Sequence, residues 1–143
     1  MASIRAATAA DAGELALLCG NLGYPADPAT LSRRLADIAE HGSGAVLVAV
    51  SDDGVLVGWA EASLQRHLVH APRVMLAGLI VAEDARSQGV GVALLRAVEA
   101  WSREHAASAL VVRSNIVRER AHRFYLREGF AEEKRQAVFL KPL

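Results

Sequence analysis

The sequence predicts a mixed α/β fold, and three observations lead there. Apolar runs of strand length are interspersed with longer stretches whose apolar residues recur at helical spacing. The Asp53-Gly54 pair sits between two adjacent strand-like runs and reads as a hairpin turn. The run ending Leu79-Ile80-Val81 crosses a short polar loop and two glycines, Gly89 and Gly91, directly into a helical pattern bearing Leu94, Leu95, Val98 and Trp101.

Taken in order, residues 3–7 predict a short first strand around Ile4. Thr8 or Asp11 can cap a helix whose apolar face is Leu15, Leu17, Leu18 and Leu22. The break at residues 20–25 contains glycine, tyrosine and proline. Asp27 or Pro28 then opens a second helix, with Leu31, Leu35 and Ile38 at helical spacing, ending in His41-Gly42-Ser43-Gly44. Residues 45–50 and 55–64 are the two arms of the Asp-Gly hairpin. Residues 73–81 form the next strand, where Gly78 predicts a bulge or a close backbone approach. The helix after the glycines runs to about His105. Residues 108–113 are a buried strand, and a last helix bears Ala121, Phe124 and Tyr125 and stops at Gly129. Phe130 begins the last strands, with Ala137-Val138-Phe139-Leu140 pairing near the C-terminus. The order predicts a hairpin-rich first half and one or more crossovers later. Neither repeats nor linkers interrupt it, so residues 1–143 read as a single domain.

Composition narrows the function. Of the 143 residues, 52% are apolar, enough for one substantial core. Lysine plus arginine and aspartate plus glutamate are 16 each, which argues against a nucleic-acid binder with its basic face. No apolar run reaches the ~18 residues that span a bilayer. The N-terminus lacks a signal-peptide core. A lone Cys19 cannot form an internal disulfide, so a cytoplasmic location is expected, and the thiol reads as a small core hydrophobe.

The glycine loop carries the chemistry. The first turn of a helix has backbone N–H groups without intrahelical partners, and its dipole end is positive. Glycines allow an anion close to that backbone, which makes a phosphate site. A Walker loop would need Lys then Ser or Thr after the second glycine, but Val92 and Ala93 follow Gly91. A dinucleotide fingerprint would need a small residue where Leu94 stands. A nucleotide-binding switch is therefore disfavoured. The pattern Arg86-Ser87-Gln88-Gly89-Val90-Gly91 fits a third reading, Arg/Gln-x-x-Gly-x-Gly/Ala. A glycine turn that merely starts a helix would share part of it. Some thirty residues later come Asn115, Ala121, Phe124-Tyr125 and Gly129-Phe130. Together the two motifs resemble the GNAT superfamily of N-acetyltransferases, over roughly residues 74–142. The first seventy residues match in element order only.

The resemblance implies a GNAT-type mixed, mostly antiparallel central sheet of six to seven strands flanked by about four helices. It implies acetyl-CoA as cosubstrate, an amine acceptor, no metal, and a homodimer; nucleic acid and membrane are not expected partners. The coenzyme A diphosphate would sit on the N–H groups of Gln88, Gly89, Val90, Gly91 and Val92, with Arg86 adding a cation. The pantetheine arm would lie along Leu79, Ile80 and Val81 like an added strand. Asn115 matches a side chain near the pantetheine, and capping the following helix is its simpler role. Tyr125 matches the tyrosine beside the thioester sulfur.

No acyl-enzyme is required. A neutral amine attacks the acetyl carbonyl, a backbone N–H at Leu79, Ile80 or Val81 stabilises the oxyanion, and Tyr125 protonates the departing thiolate. Glu61 is the first candidate for the base, ahead of Glu83, His67 and His70; each also reads as a surface residue. The alternative is a non-catalytic acyl-CoA-binding domain, regulatory or structural, but a pure binder has no need of Tyr125. The acceptor site would be shaped by residues 20–25, the Glu61 strand and residues 132–136, and its identity is open.

Overall fold

A computed structural model describes residues 2–143. They divide into a larger unit ending at Arg113 and a smaller one, Ser114–Leu143.

In the larger unit, β1 (Ser3–Ala6) leads through a 3-10 turn, Ala9–Asp11, into α1 (Ala12–Asn21) and α2 (Pro28–His41). The Asp11 carboxylate accepts from the Thr8 N–H at 2.7 Å and closes the turn. Asp27 caps α2 by accepting from the Thr30 N–H at 3.0 Å, with Pro28 behind it. Gly42, at φ 67°, ends the helix in the left-handed conformation. Then come β2 (Gly44–Val50), β3 (Leu56–Gln65), β4 (Arg73–Val81), α3 (Val90–Glu104) and β5 (Leu110–Val112).

The sheet order is β1-β2-β3-β4-β5. The first four strands are antiparallel, and β5 returns parallel to β4 after the α3 crossover. The two faces of β3 are covered differently. Gly58, Ala60 and Ala62 face α3, and a Cβ on Gly58 would meet Leu94 and Val90 side chains at 3.2 and 3.3 Å. Trp59 packs on the other face with a core of Leu15, Val48 and Leu56, beneath Leu31 and Leu35 of α2. Leu94, Leu95 and Val98 are fully buried, as the helical spacing predicts.

Three expectations need correction. The sheet has five strands among the described residues, not six to seven. The smaller unit holds α4 (Glu119–Arg127) and no strand. Residues 137–140 have strand-forming composition, but composition makes a strand only where a neighbour supplies ladder partners. Here Val138, Phe139 and Leu140 are 84%, 93% and 90% exposed. Asn115 also differs. Its Oδ1 accepts from the Val117 N–H at 3.2 Å, which closes a turn ahead of α4; the helix itself starts at Glu119 with Arg118 in the cap position.

Candidate active site: a strand gap, a glycine loop and an acidic cavity

Strand β4 keeps β3 along its whole length but has β5 beside it only over its first half. Val74, Met75 and Leu76 pair with Leu110, Val111 and Val112, and the parallel ladder stops there. The register against β3 shifts at the same point: Ala62 faces Leu76 but Glu61 faces Gly78, so Ala77 is an extra residue in a β-bulge.

The bulge has a consequence for the donors. The Val74 N–H donates to the Ala109 carbonyl at 3.0 Å, so Val74 and Leu76 point towards β5. The Ala82 N–H donates to the Val57 carbonyl at 2.8 Å, on the β3 side. Strand alternation then turns Ile80 towards β3, and turns Leu79 and Val81 away from it, into the space β5 has left. The phase has moved from even to odd residues across Ala77. Of the three candidate positions, the N–H groups of Leu79 and Val81 face the gap and that of Ile80 does not.

Past β4 a 3-10 turn, Glu83–Ala85, leads to the glycine loop. Arg86 folds back so that its Nε donates to the Val81 carbonyl at 3.4 Å, which puts a cation at the mouth of the gap. The Gln88 amide donates to the Asp84 carbonyl at 3.2 Å and ties the loop to the turn. Ser87 and Gly89 take φ of 65° and 80°. Glycine suits its position because the left-handed region costs an L-residue about 1 kcal/mol or more. The Ala93 N–H donates to the Gly89 carbonyl at 3.0 Å as the first bond of the α3 ladder. Val90, Gly91 and Val92 therefore contribute the orphan N–H groups of the first turn.

Glu61 stands across the strand pair from Gly78, on the α2 side of the sheet. It lines a cavity of about 200 Å³ with Asp37, Ile38, His41, Ser43 and Ser63. Burial pushes its carboxyl pKa above the usual glutamate value. The sequence missed Asp37 and His41: they lie on a helix far off in the chain, and only the packing of α2 on β2 and β3 brings them to Glu61. The other base candidates sit elsewhere. Glu83 is exposed in its 3-10 turn. His67 and His70 are exposed in the β3–β4 connection, with ring centroids 4.3 Å apart.

Tyr125 belongs to the smaller unit. Its ring meets Phe124 and Phe130 edge-on, each at 5.4 Å between centroids. The Phe130 N–H donates to the Tyr125 carbonyl at 3.0 Å, and Gly129, at φ 98°, makes the reversal between them. The Phe-Tyr…Gly-Phe spacing thus builds one aromatic cluster. Burial raises the phenol pKa, opposed by the charge of Arg118, so the group stays protonated at neutral pH. Groups of three or more His, Cys, Asp or Glu side chains able to hold a metal are absent among the described residues.

A five-stranded open sheet whose bulged fourth strand loses its β5 ladder after Leu76, with a glycine loop at its end, defines the class. The sequence profile described as the acetyltransferase (GNAT) family matches residues 13–130, and the chain belongs to that family. It is an acetyl-CoA-dependent N-acetyltransferase. An aminoglycoside N(6')-acetyltransferase type 1 from Stenotrophomonas maltophilia is 37% identical to it, over 99% of this chain and 94% of that protein. An aminoalkylphosphonate N-acetyltransferase from Salmonella typhimurium is also 37% identical, over 56% of this chain and 53% of its own length. The solved structure of AAC(6')-Iy in complex with the bisubstrate analogue CoA-S-monomethyl-acetylneamine superposes with a TM-score of 0.86 at 25% identity, covering 100% of this chain and 99% of that one. No helix among the described residues is long and apolar enough to cross a membrane.

Proposed function

We propose that the acceptor is a small polycationic amine of the aminoglycoside type, and that Glu61 is the base that deprotonates it. The observation that carries this reading is the cavity across from Gly78, which Glu61 and Asp37 both line. A carboxylate in a partly desolvated cavity attracts ammonium groups more strongly than one in bulk water. The full-length likeness to the Stenotrophomonas maltophilia enzyme supports the same class.

In this reading the coenzyme A diphosphate rests on the N–H groups of residues 88–92, with Arg86 beside it. The thioester arm runs along β4 in the gap beyond Leu76. The acceptor ammonium loses its proton to Glu61, directly or through a water. Its nitrogen attacks the acetyl carbon, and the new C–N bond forms as negative charge collects on the acetyl oxygen. The Leu79 N–H donates to that oxygen. The C–S bond then breaks as the carbonyl re-forms, Tyr125 supplies the proton that the sulfur takes up, and the nitrogen gives up its second proton, which through solvent restores the phenol. The chain's own contribution is positioning, one base, one acid and a fixed main-chain donor.

The test is coenzyme A thiol release from acetyl-CoA with neamine, a simple monoamine and a peptide amine as acceptors. The reading expects kcat/KM to be highest for neamine by about ten-fold or more. Equal values for the monoamine would remove the polycation reading.

A further inference from the structure

The β4 bulge lies two residues before the Leu79 N–H. A bulge disrupts the ladder and leaves one residue unpaired, and here a glycine follows it. Such backbone is soft, yet the Leu79 N–H that it aims must hold one direction. A glycine-containing bulge therefore needs packing from outside the strand.

That packing is Trp59. Its partner across the ladder is Ile80, but its indole reaches diagonally along the sheet to Gly78. A Cβ added to Gly78 would lie 2.7 Å from Trp59 Cζ3 and 2.8 Å from Cη2. The ring therefore sits where any larger residue would place its side chain. Trp59 is itself held by the core of Leu15, Val48 and Leu56. Its Nε1 is buried without a nitrogen or oxygen acceptor among the described residues, and the Cys19 thiol of α1 interacts with it, so the core packing together with that thiol places the ring.

We infer that Trp59 is a positioning residue for acyl transfer: its indole, seated in the space that Gly78 leaves, fixes the bulge at Ala77 and so aims the Leu79 N–H into the β4–β5 gap. The chain of contact runs from core to indole, from indole to Gly78, and from Gly78 to the next amide. The inference rests on the proposed course of the thioester along β4. The simpler role, an aromatic ring that shields a strand glycine and adds only stability, makes different predictions.

The experiment compares the wild type with Trp59→Phe, Trp59→Leu, Gly78→Ala and the double variant Trp59→Leu/Gly78→Ala, reading kcat, the acetyl-CoA KM and Tm. A positioning role predicts that Trp59→Leu lowers kcat by about 10- to 100-fold while KM moves less than about three-fold. Trp59→Phe, which keeps a flat ring, recovers most of that loss. The double variant regains Tm relative to Gly78→Ala, because the added methyl no longer meets the indole, yet keeps the low kcat. A Trp59→Leu enzyme with lowered Tm and kcat within about two-fold of wild type would overturn the inference, as would full kcat in the double variant. If Trp59→Leu does not fold, Trp59→Phe and Gly78→Ala decide by the same criterion: lowered kcat at constant KM supports the role, and unchanged kcat in both removes it. Amide hydrogen exchange of the wild type with and without coenzyme A separates the two levels. Slowed exchange at Leu79 and Val81 is expected. Unchanged exchange there would overturn the thioester course itself, and with it the role of Trp59.

Discussion

The Arg5 guanidinium holds the Asp11 carboxylate by two hydrogen bonds, Nη1 to Oδ2 and Nη2 to Oδ1, both 2.8 Å. This bidentate pair ties the first strand to the turn that launches α1. The Asp11 side chain is almost wholly buried and that of Arg5 is half exposed.

The Arg5 hydrogen bond, aided by the Thr8 N–H and against the opposing cost of burial, lowers the Asp11 pKa from 3.8 to about 2. A carboxyl whose folded pKa is depressed stabilises the fold above its unfolded pKa and loses that contribution as pH falls through the folded one. The window is therefore from about pH 4 down to about pH 2. With solvent screening at the exposed Arg5, the contribution is about 1–2 kcal/mol. Urea melts of Asp11→Asn should show that deficit at pH 7 and little difference from wild type near pH 2. An equal deficit at both pH values would show that the charge is irrelevant.

Glu61 behaves in the opposite sense. Burial raises its folded pKa, so the ionised form costs stability at neutral pH and the cost disappears as pH falls through that pKa. Glu61→Gln should leave Tm unchanged or higher at pH 7. Its turnover should fall by about 10²-fold or more, and the acid limb of the kcat/KM profile should vanish. A variant that keeps the acid limb would move the base to another residue.

Tyr125 is predicted to act only on the leaving group. Tyr125→Phe should lower kcat by about 10- to 100-fold and leave acetyl-CoA affinity within about three-fold. The raised phenol pKa should also keep wild-type kcat level well into the alkaline range. Turnover equal to wild type in the phenylalanine variant would remove Tyr125 from the acid role.

Gly89 separates backbone conformation from space. Nothing lies within 4 Å of a Cβ added there, but its φ is 80°. Gly89→Ala should cost about 1 kcal/mol of stability and weaken coenzyme A binding by about ten-fold, as the loop relaxes away from the left-handed turn. Calorimetric titration with coenzyme A measures the second effect, and an unchanged Kd would mean that the loop tolerates other conformations.

Much of this was legible in the sequence where the signal is local. The move from strand to glycine loop to helix showed as a change of period, and α3 buries the residues its spacing names. Gly78 announced a bulge or a close approach, and it marks both. Strand register was not legible. That Leu79 and Val81, rather than Ile80, face the gap depends on one extra residue at Ala77 and on where β5 stops. Glu61 was a candidate without surroundings until α2 brought Asp37 and His41 to it. The C-terminal segment was misread because its composition favours a strand and composition says nothing of a partner. Asn115 looked like a helix cap, whereas the Asx turn it makes lies a few residues ahead of the helix.

The central claim is that main-chain donors freed where the β4–β5 ladder ends and in the first turn of α3 hold acetyl-CoA. A crystal structure of the protein with coenzyme A tests it most directly. The account predicts a hydrogen bond from the Val81 N–H to the pantetheine arm, the thiol end beside the Leu79 N–H, and a diphosphate on the N–H groups of residues 88–92. Coenzyme A bound elsewhere, with the gap beyond Leu76 filled by water, would contradict it.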